Sequence, residues 1–63
     1  MDDPDDERTL LLVEDEALVA LSEKQTLERY GYAVTAVYSG EEAVRIAEEQ
    51  HVDLVLMDID LGN

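Results

Sequence analysis

The sequence predicts an α/β fold in which three parallel strands alternate with two helices, βαβαβ, and three observations indicate it. Apolar or β-branched runs at 9–13, 32–38 and 52–57 have the composition of strands. The stretches between them are rich in helix formers and long enough for right-handed crossovers between parallel strands. The first and third runs are the most apolar. We therefore expect strand 1 at the centre, strand order 2-1-3, and the two helices on opposite faces.

The first strand and helix are read from the segments at 9–13 and 17–30. "TLLLV" is a continuous apolar run, typical of a strand buried on both faces. "ALVALSEKQTLERY" contains neither Gly nor Pro, and Gly31 follows where a left-handed helix stop would lie. The predicted apolar arc of this helix consists of Val19, Ala20, Leu27 and Tyr30.

The second strand, "YAVTAVY", is the most mixed and is predicted to lie at a sheet edge. Ser39, followed three residues later by Glu42, is a capping-box pattern that starts the second helix. The predicted apolar stripe of that helix consists of Ala43, Ile46 and Ala47. "VDLVLM", at 52–57, is the third strand, which we expect to be one of the two most buried strands.

Length and charge limit the classes of function. The chain has 63 residues, enough for one small domain, and a formal net charge of −13 from 17 acids against 4 bases. This charge argues against nucleic acid or a membrane surface as a partner. The absence of Cys and of an apolar run of about 20 residues leads us to expect a cytoplasmic protein. "MDDPDDE" (1–7) is predicted to be a disordered acidic tail preceding a partial domain at 8–63.

Carboxylates follow both of the most apolar strands. Glu14 and Asp15 come after the first, whereas Asp58 ends the third and Asp60 lies two residues later. In the order 2-1-3 these ends are neighbours, so the carboxylates would repel one another unless a hard cation such as Mg²⁺ joined them. A cation beside Asp58 would favour attack of its carboxylate on a phosphoryl group. Taken singly, each acid is more often a loop residue, and Asp15 or Glu16 could simply favour the helix N-terminus.

Three segments together resemble the receiver domain of two-component response regulators: "LLLVEDEALVALSEKQTLERYGYAV", "YSGEEAV" and "VDLVLMDIDLGN". The resemblance covers 9–63 in both order and spacing, and it implies a flavodoxin-like fold. It also implies that Asp58 accepts a phosphoryl group from the phosphohistidine of a histidine kinase or phosphotransfer protein. Such a module is a phosphoacceptor rather than an enzyme.

The resemblance implies a Mg²⁺ site as well. Asp15 would be a direct ligand, Glu14 a direct or water-mediated ligand, and Asp60 would contribute its backbone carbonyl beside the Asp58 carboxylate. Leu61 and Gly62 stand where the family often has Met-Pro.

A complete receiver has five strands and five helices, so we expect this chain to be the first half of one. The Thr or Ser and the Lys that bind the phosphoryl group would then be missing, and the 63-residue chain alone would be phosphorylated poorly. An unpaired strand 3 would also favour a homodimer, formed through that strand edge or by swapped elements.

Three alternatives remain open. A haloacid dehalogenase-like phosphatase would use Asp58 as nucleophile and Asp60 as general acid/base. Gly62 departs from the Thr or Val of that motif, and the acids after strand 1 stay unexplained. An EF-hand loop starting at Asp58 would need Gly one position later than Gly62. A fragment whose acids no longer meet would only self-assemble.

Overall fold

The computed structural model describes residues 7–57, and five elements alternate along them. The elements are β1 (Arg8–Val13), α1 (Ala17–Arg29), β2 (Tyr32–Val37), α2 (Gly40–Glu49) and β3 (Leu54–Met57). The strands form one parallel sheet in the order β2-β1-β3. The predicted fold class and strand order are therefore confirmed. The predicted acidic tail lies, apart from Glu7, outside the described residues and stays a prediction.

The core is built on the central strand β1, whose side chains alternate between the two faces of the sheet. Leu10 and Leu12 belong to one buried cluster, and Leu11 and Val13 belong to the other. All four are at most 4% exposed. A run of consecutive apolar residues is thus buried on both faces, as "TLLLV" predicts.

Each helix covers one face with a narrow apolar stripe. Ala20 and Leu27 of α1 pack with one cluster, whereas Ala43 and Ile46 of α2 pack with the other. The predicted stripes were wider, and their outer members Val19, Tyr30 and Ala47 are exposed, so that part of the prediction is wrong. Both helices lie over β1 and β2, and two strands offer width for only a narrow stripe.

The ends of the helices follow the expected local chemistry. Gly31 adopts a φ of 96°, the left-handed conformation that suits a residue after a helix. At α2 the Ser39 hydroxyl accepts the Glu42 N–H at 3.2 Å, and Glu42 Oε1 accepts the Tyr38 N–H at 2.9 Å. The capping box is confirmed, although the Glu42 carboxylate accepts the N–H of Tyr38 and not, as is usual, that of the N-cap residue Ser39. Neither of the two described helices has the length and apolar character needed to cross a membrane.

β3 differs from the prediction. It begins at Leu54, two residues later than expected, and its four side chains are 40–58% exposed. Within residues 7–57 it pairs with β1 along one edge, and the helices lie over the other two strands. The prediction that it is one of the two most buried strands is therefore wrong within residues 7–57, where β2 is more buried. Burial depends on neighbours that an apolar composition does not specify.

Candidate functional site

The carboxyl ends of β1 and β3 lie side by side, which is where the acid cluster is predicted. The parallel register pairs Val13, the last residue of β1, with Met57, the last residue of β3. Glu14 follows Val13 in the sequence, and Asp58 follows Met57. Asp58 and Asp60 lie outside the described residues, so their convergence with Glu14 stays a prediction.

Glu14 is buried, with 3% of its surface exposed. Its N–H donates to the Val37 carbonyl at 3.0 Å, which extends the contact between β1 and β2 by one residue. Its Oε2 accepts the N–H of Glu16, the N-cap residue of α1, at 2.9 Å. The carboxylate therefore holds the β1–α1 loop against the start of the helix, whereas Glu16 makes no side-chain cap hydrogen bond.

Asp15, by contrast, is exposed at the same end of the sheet. One buried and one exposed carboxylate offer the oxygen donors that a hard divalent cation prefers. No group of three or more His, Cys, Asp or Glu side chains within 7–57 is arranged to hold a metal ion. The donor chemistry of Glu14 and Asp15 fits Mg²⁺, and the predicted ligand set also needs Asp58 and Asp60.

The family of this chain follows from its match to a protein-family model. The family model of the response regulator receiver domain matches residues 10–63, which include all four predicted site residues. The chain belongs to the response regulator receiver domain family. This membership supports the receiver interpretation, and it does not support the phosphatase or calcium-loop alternative.

Curated relatives agree with the receiver family. The chain is 39% identical over 57 residues to the CAI-1 autoinducer sensor kinase/phosphatase CqsS of Vibrio cholerae, covering 90% of this chain and 8% of CqsS. It is 39% identical over 54 residues to the polar-differentiation response regulators DivK of Brucella ovis and Brucella suis, covering 86% of this chain and 44% of each DivK. The chain thus spans less than half the length of these relatives. No solved structure matches it significantly.

A polar cluster at the opposite end of the sheet escaped the sequence analysis. Asp53 Oδ2 accepts the Thr9 N–H at 2.9 Å, and the Asp53 N–H donates to the Thr9 carbonyl at 2.9 Å. His51 Nε2 lies 2.7 Å from Asp53 Oδ1. The Thr9 N–H, and next the His51 hydrogen bond, hold the pKa of Asp53 below its ordinary value of 3.8. A carboxylate directly before an apolar strand is the signal that could have found it.

Proposed function

We propose that this receiver segment accepts a phosphoryl group on Asp58 from the phosphohistidine of a histidine kinase or phosphotransfer protein. The observation that carries the proposal is the pairing of Val13 with Met57, since the acid pair after β1 then lies beside the strand that leads into Asp58. One relative is named as a sensor kinase/phosphatase, which supports this class of partner. A phosphohistidine donor made by an ATP-dependent kinase favours the cytoplasm as the location.

The proposed reaction is a group transfer in which the chain is the acceptor rather than an enzyme. The P–N bond of the phosphohistidine breaks and its electron pair returns to the imidazole nitrogen, while a P–O bond forms to an Asp58 carboxylate oxygen. When bound, Mg²⁺ would neutralise charge on the transferring oxygens.

The exposure of Asp15 and the hydrogen bond of Glu14 support a division of the proposed ligand roles. We assign Asp15, whose side chain is exposed, as a direct ligand of the metal ion. Glu14 Oε2 already accepts the Glu16 N–H, so we assign Glu14 the water-mediated role. The Asp58 carboxylate and the Asp60 carbonyl complete the proposed set.

The test is phosphorylation by acetyl phosphate of the whole protein that the gene encodes, because we expect the 63-residue chain alone to be labelled poorly. Borohydride reduction and mass spectrometry locate the product. We expect an acyl phosphate that requires Mg²⁺ and is abolished by EDTA and by Asp58→Asn. Asp15→Asn should slow labelling at least tenfold, because even outer-shell partners of a metal site contribute about 10- to 100-fold.

The matched control is Asp60→Asn, which preserves the backbone carbonyl and should label at nearly the wild-type rate. Labelling that survives Asp58→Asn, or that proceeds equally well in EDTA, would contradict the proposal. Turnover of the phosphoryl group that depends on the Asp60 side chain would favour a phosphatase instead.

One observation favours a second candidate, association of two copies through β3. All four residues of Leu54–Met57 are exposed, and β3 has β1 as its one strand neighbour within 7–57. An apolar strand with an unpaired edge is a template for pairing with another chain. We propose that the 63-residue chain forms a homodimer through this edge.

A further inference from the structure

We propose that Asp53 is a positioning residue that fixes the register of β3 against β1, and that it thereby sets where Asp58 lies relative to Glu14. The importance of Asp58 rests on the proposed function. The contacts of Asp53 are observed independently of it.

The side chains of β3 specify its register weakly. Register is normally set by alternation of apolar and polar residues, because a slip by one residue would turn the apolar set toward water. The strand reads LVLM, so all four of its side chains are apolar. A slip by one residue would therefore exchange one apolar side chain for another on either face. Something other than the pattern of β3 has to fix its register.

The contacts of Asp53 supply a residue-specific constraint where β3 begins. Backbone ladder bonds can form at any residue, whereas the Thr9 N–H is accepted by a carboxylate, and within 52–57 only position 53 provides one. The reciprocal bond, from the Asp53 N–H to the Thr9 carbonyl, closes a two-bond ring around one pair of residues. Leu10 then pairs with Leu54, which is the first rung of the β1–β3 ladder.

Two neighbouring residues reinforce this constraint. Val52, directly before Asp53, packs against the buried cluster beneath α2. His51 Nε2, 2.7 Å from Asp53 Oδ1, holds the second carboxylate oxygen, so the carboxylate is fixed through both of its atoms. The side chain of Asp53 is 33% exposed, whereas that of His51 is 81% exposed. The exposed His51 ring therefore helps to orient the Asp53 carboxylate but buries little of it.

The register set at Asp53 also matters at the other end of β3, because a slip moves every residue of a strand by the same distance along its neighbour. A slip by one residue would move Met57 about 3.3 Å along Val13, and a slip by two would move it about 6.6 Å. Misplacement of a reacting group by about 1 Å can cost roughly 100-fold in rate. A constraint at Asp53 is therefore relevant to the proposed phosphorylation of Asp58, five residues later in the sequence, although Asp53 lies at the opposite end of β3 from the proposed site.

The test separates the geometry of Asp53 from its charge. Asp53→Asn retains an oxygen for the Thr9 N–H and removes the charge, and its amide can donate to His51. Asp53→Glu retains the charge but displaces the carboxylate by one methylene. Asp53→Ala removes both the oxygen acceptor and the charge. The matched control is Glu48→Ala, which removes an exposed acid on α2.

Two readouts are measured on the protein as its gene encodes it: cross-strand nuclear Overhauser effects between the backbones of Val13 and Met57, and the rate of Asp58 labelling by acetyl phosphate with Mg²⁺. We expect Asp53→Asn and Glu48→Ala to keep the cross-strand signals and to label within about twofold of wild type. Asp53→Glu and Asp53→Ala should lose those signals, with labelling slowed at least tenfold.

The proposal is overturned if Asp53→Glu keeps the wild-type register and rate, or if Asp53→Asn is impaired as strongly as Asp53→Glu. Should Asp53→Ala fail to fold, the comparison of Asn with Glu still decides. If the wild type shows the Val13–Met57 signals but never labels Asp58, the proposed function fails. The register readout then still tests the role of Asp53.

Discussion

At the scale of the residue, Glu14 combines a structural contact with a proposed chemical role. Burying a carboxyl group is costly unless it is hydrogen-bonded, and the bond from the Glu16 N–H offsets part of that cost. Substitution of Glu14 would therefore disturb the β1–α1 loop together with any metal site. The exposed Asp15 is the better position for testing metal binding, because its side chain contributes less to the fold.

Asp53 gives a pH-dependent contribution to stability whose sign follows from its contacts. The Thr9 N–H and His51, with the positive charge of Arg8 nearby on β1, keep the pKa of Asp53 lower in the folded chain than in the unfolded chain. This contribution is fully present above the ordinary pKa of 3.8 and is lost as the pH falls through the folded-state pKa. We expect the free energy of unfolding to fall less steeply below about pH 4 in Asp53→Asn than in wild type.

Urea unfolding measured between about pH 2 and pH 6 checks this, with Glu48→Gln as the control that removes a carboxylate of the exposed α2 surface. The difference between wild type and variant isolates Asp53 from the other acids that titrate over this range. If the free energy of unfolding changed with pH as steeply in Asp53→Asn as in wild type over the whole range, the hydrogen bonds of Asp53 would not favour its ionised form.

At the scale of the element, the two helices begin in different ways. The N-cap of α2, Ser39, accepts the Glu42 N–H, and the Glu42 side chain returns to the Tyr38 N–H. The N-cap of α1, Glu16, makes no side-chain cap bond, and its own N–H donates to the side chain of Glu14, the residue after β1. The start of α2 is therefore encoded locally, whereas the start of α1 depends on the sheet.

The local cap of α2 makes a quantitative prediction. Ser39→Ala should lower the free energy of unfolding by about 1 kcal/mol, because it removes the acceptor of a helix N–H that is otherwise unpaired. Ser22→Ala, on the exposed surface of α1, is the matched control and should change stability by less than about 0.5 kcal/mol. Thermal or urea unfolding of the two variants compares them directly. Equal effects of the two substitutions would contradict the role of the cap.

β1 and β3 show how similar strand compositions acquire different environments. Leu11 and Leu12 are at most 1% exposed, whereas Val55 and Leu56 are at least 40% exposed. β1 has a strand on each side and helices on both faces, while β3 has one neighbouring strand within the described part of the chain. Because all four side chains of β3 are apolar, a residue-specific contact such as that of Asp53 is important for its register.

At the scale of the whole molecule, two opposing effects act on the proposed association through β3. The exposed apolar strand favours pairing, whereas a formal net charge of −13 on each copy opposes it. Since salt shortens the Debye length from about 10 Å at 0.1 M to about 3 Å at 1 M, dimerisation should strengthen with salt. Light scattering and sedimentation at several protein concentrations measure this.

A pair of matched variants tests where the copies meet. Val55→Lys places a charge on β3 and should keep the chain monomeric at high salt. Val44→Lys makes the same change at an exposed position of α2 and should leave the dimer intact. A compact monomer at all salt concentrations would exclude association. Dimers disrupted only by Val44→Lys would place the contact on α2.

The position proposed for the site could be read from the sequence, because parallel strands bring the residues that follow them to one edge of the sheet. Glu14 and Asp15 lie there as predicted, and β3 leads toward the same edge. The role of Asp53 could not be read in this way. Its partner Thr9 is 44 residues away, and only strand pairing brings the two together.

The sequence by itself determined the element order, the central place of β1, the stop at Gly31 and the cap at Ser39. Each of these depends on composition or on contacts within a few residues of the chain. Only the tertiary structure decided that β3 is exposed, that Glu14 ties the sheet to α1, and that Asp53 ties β3 to β1. Burial and hydrogen bonding at these positions depend on which elements become neighbours, and pairing across the sheet decides that.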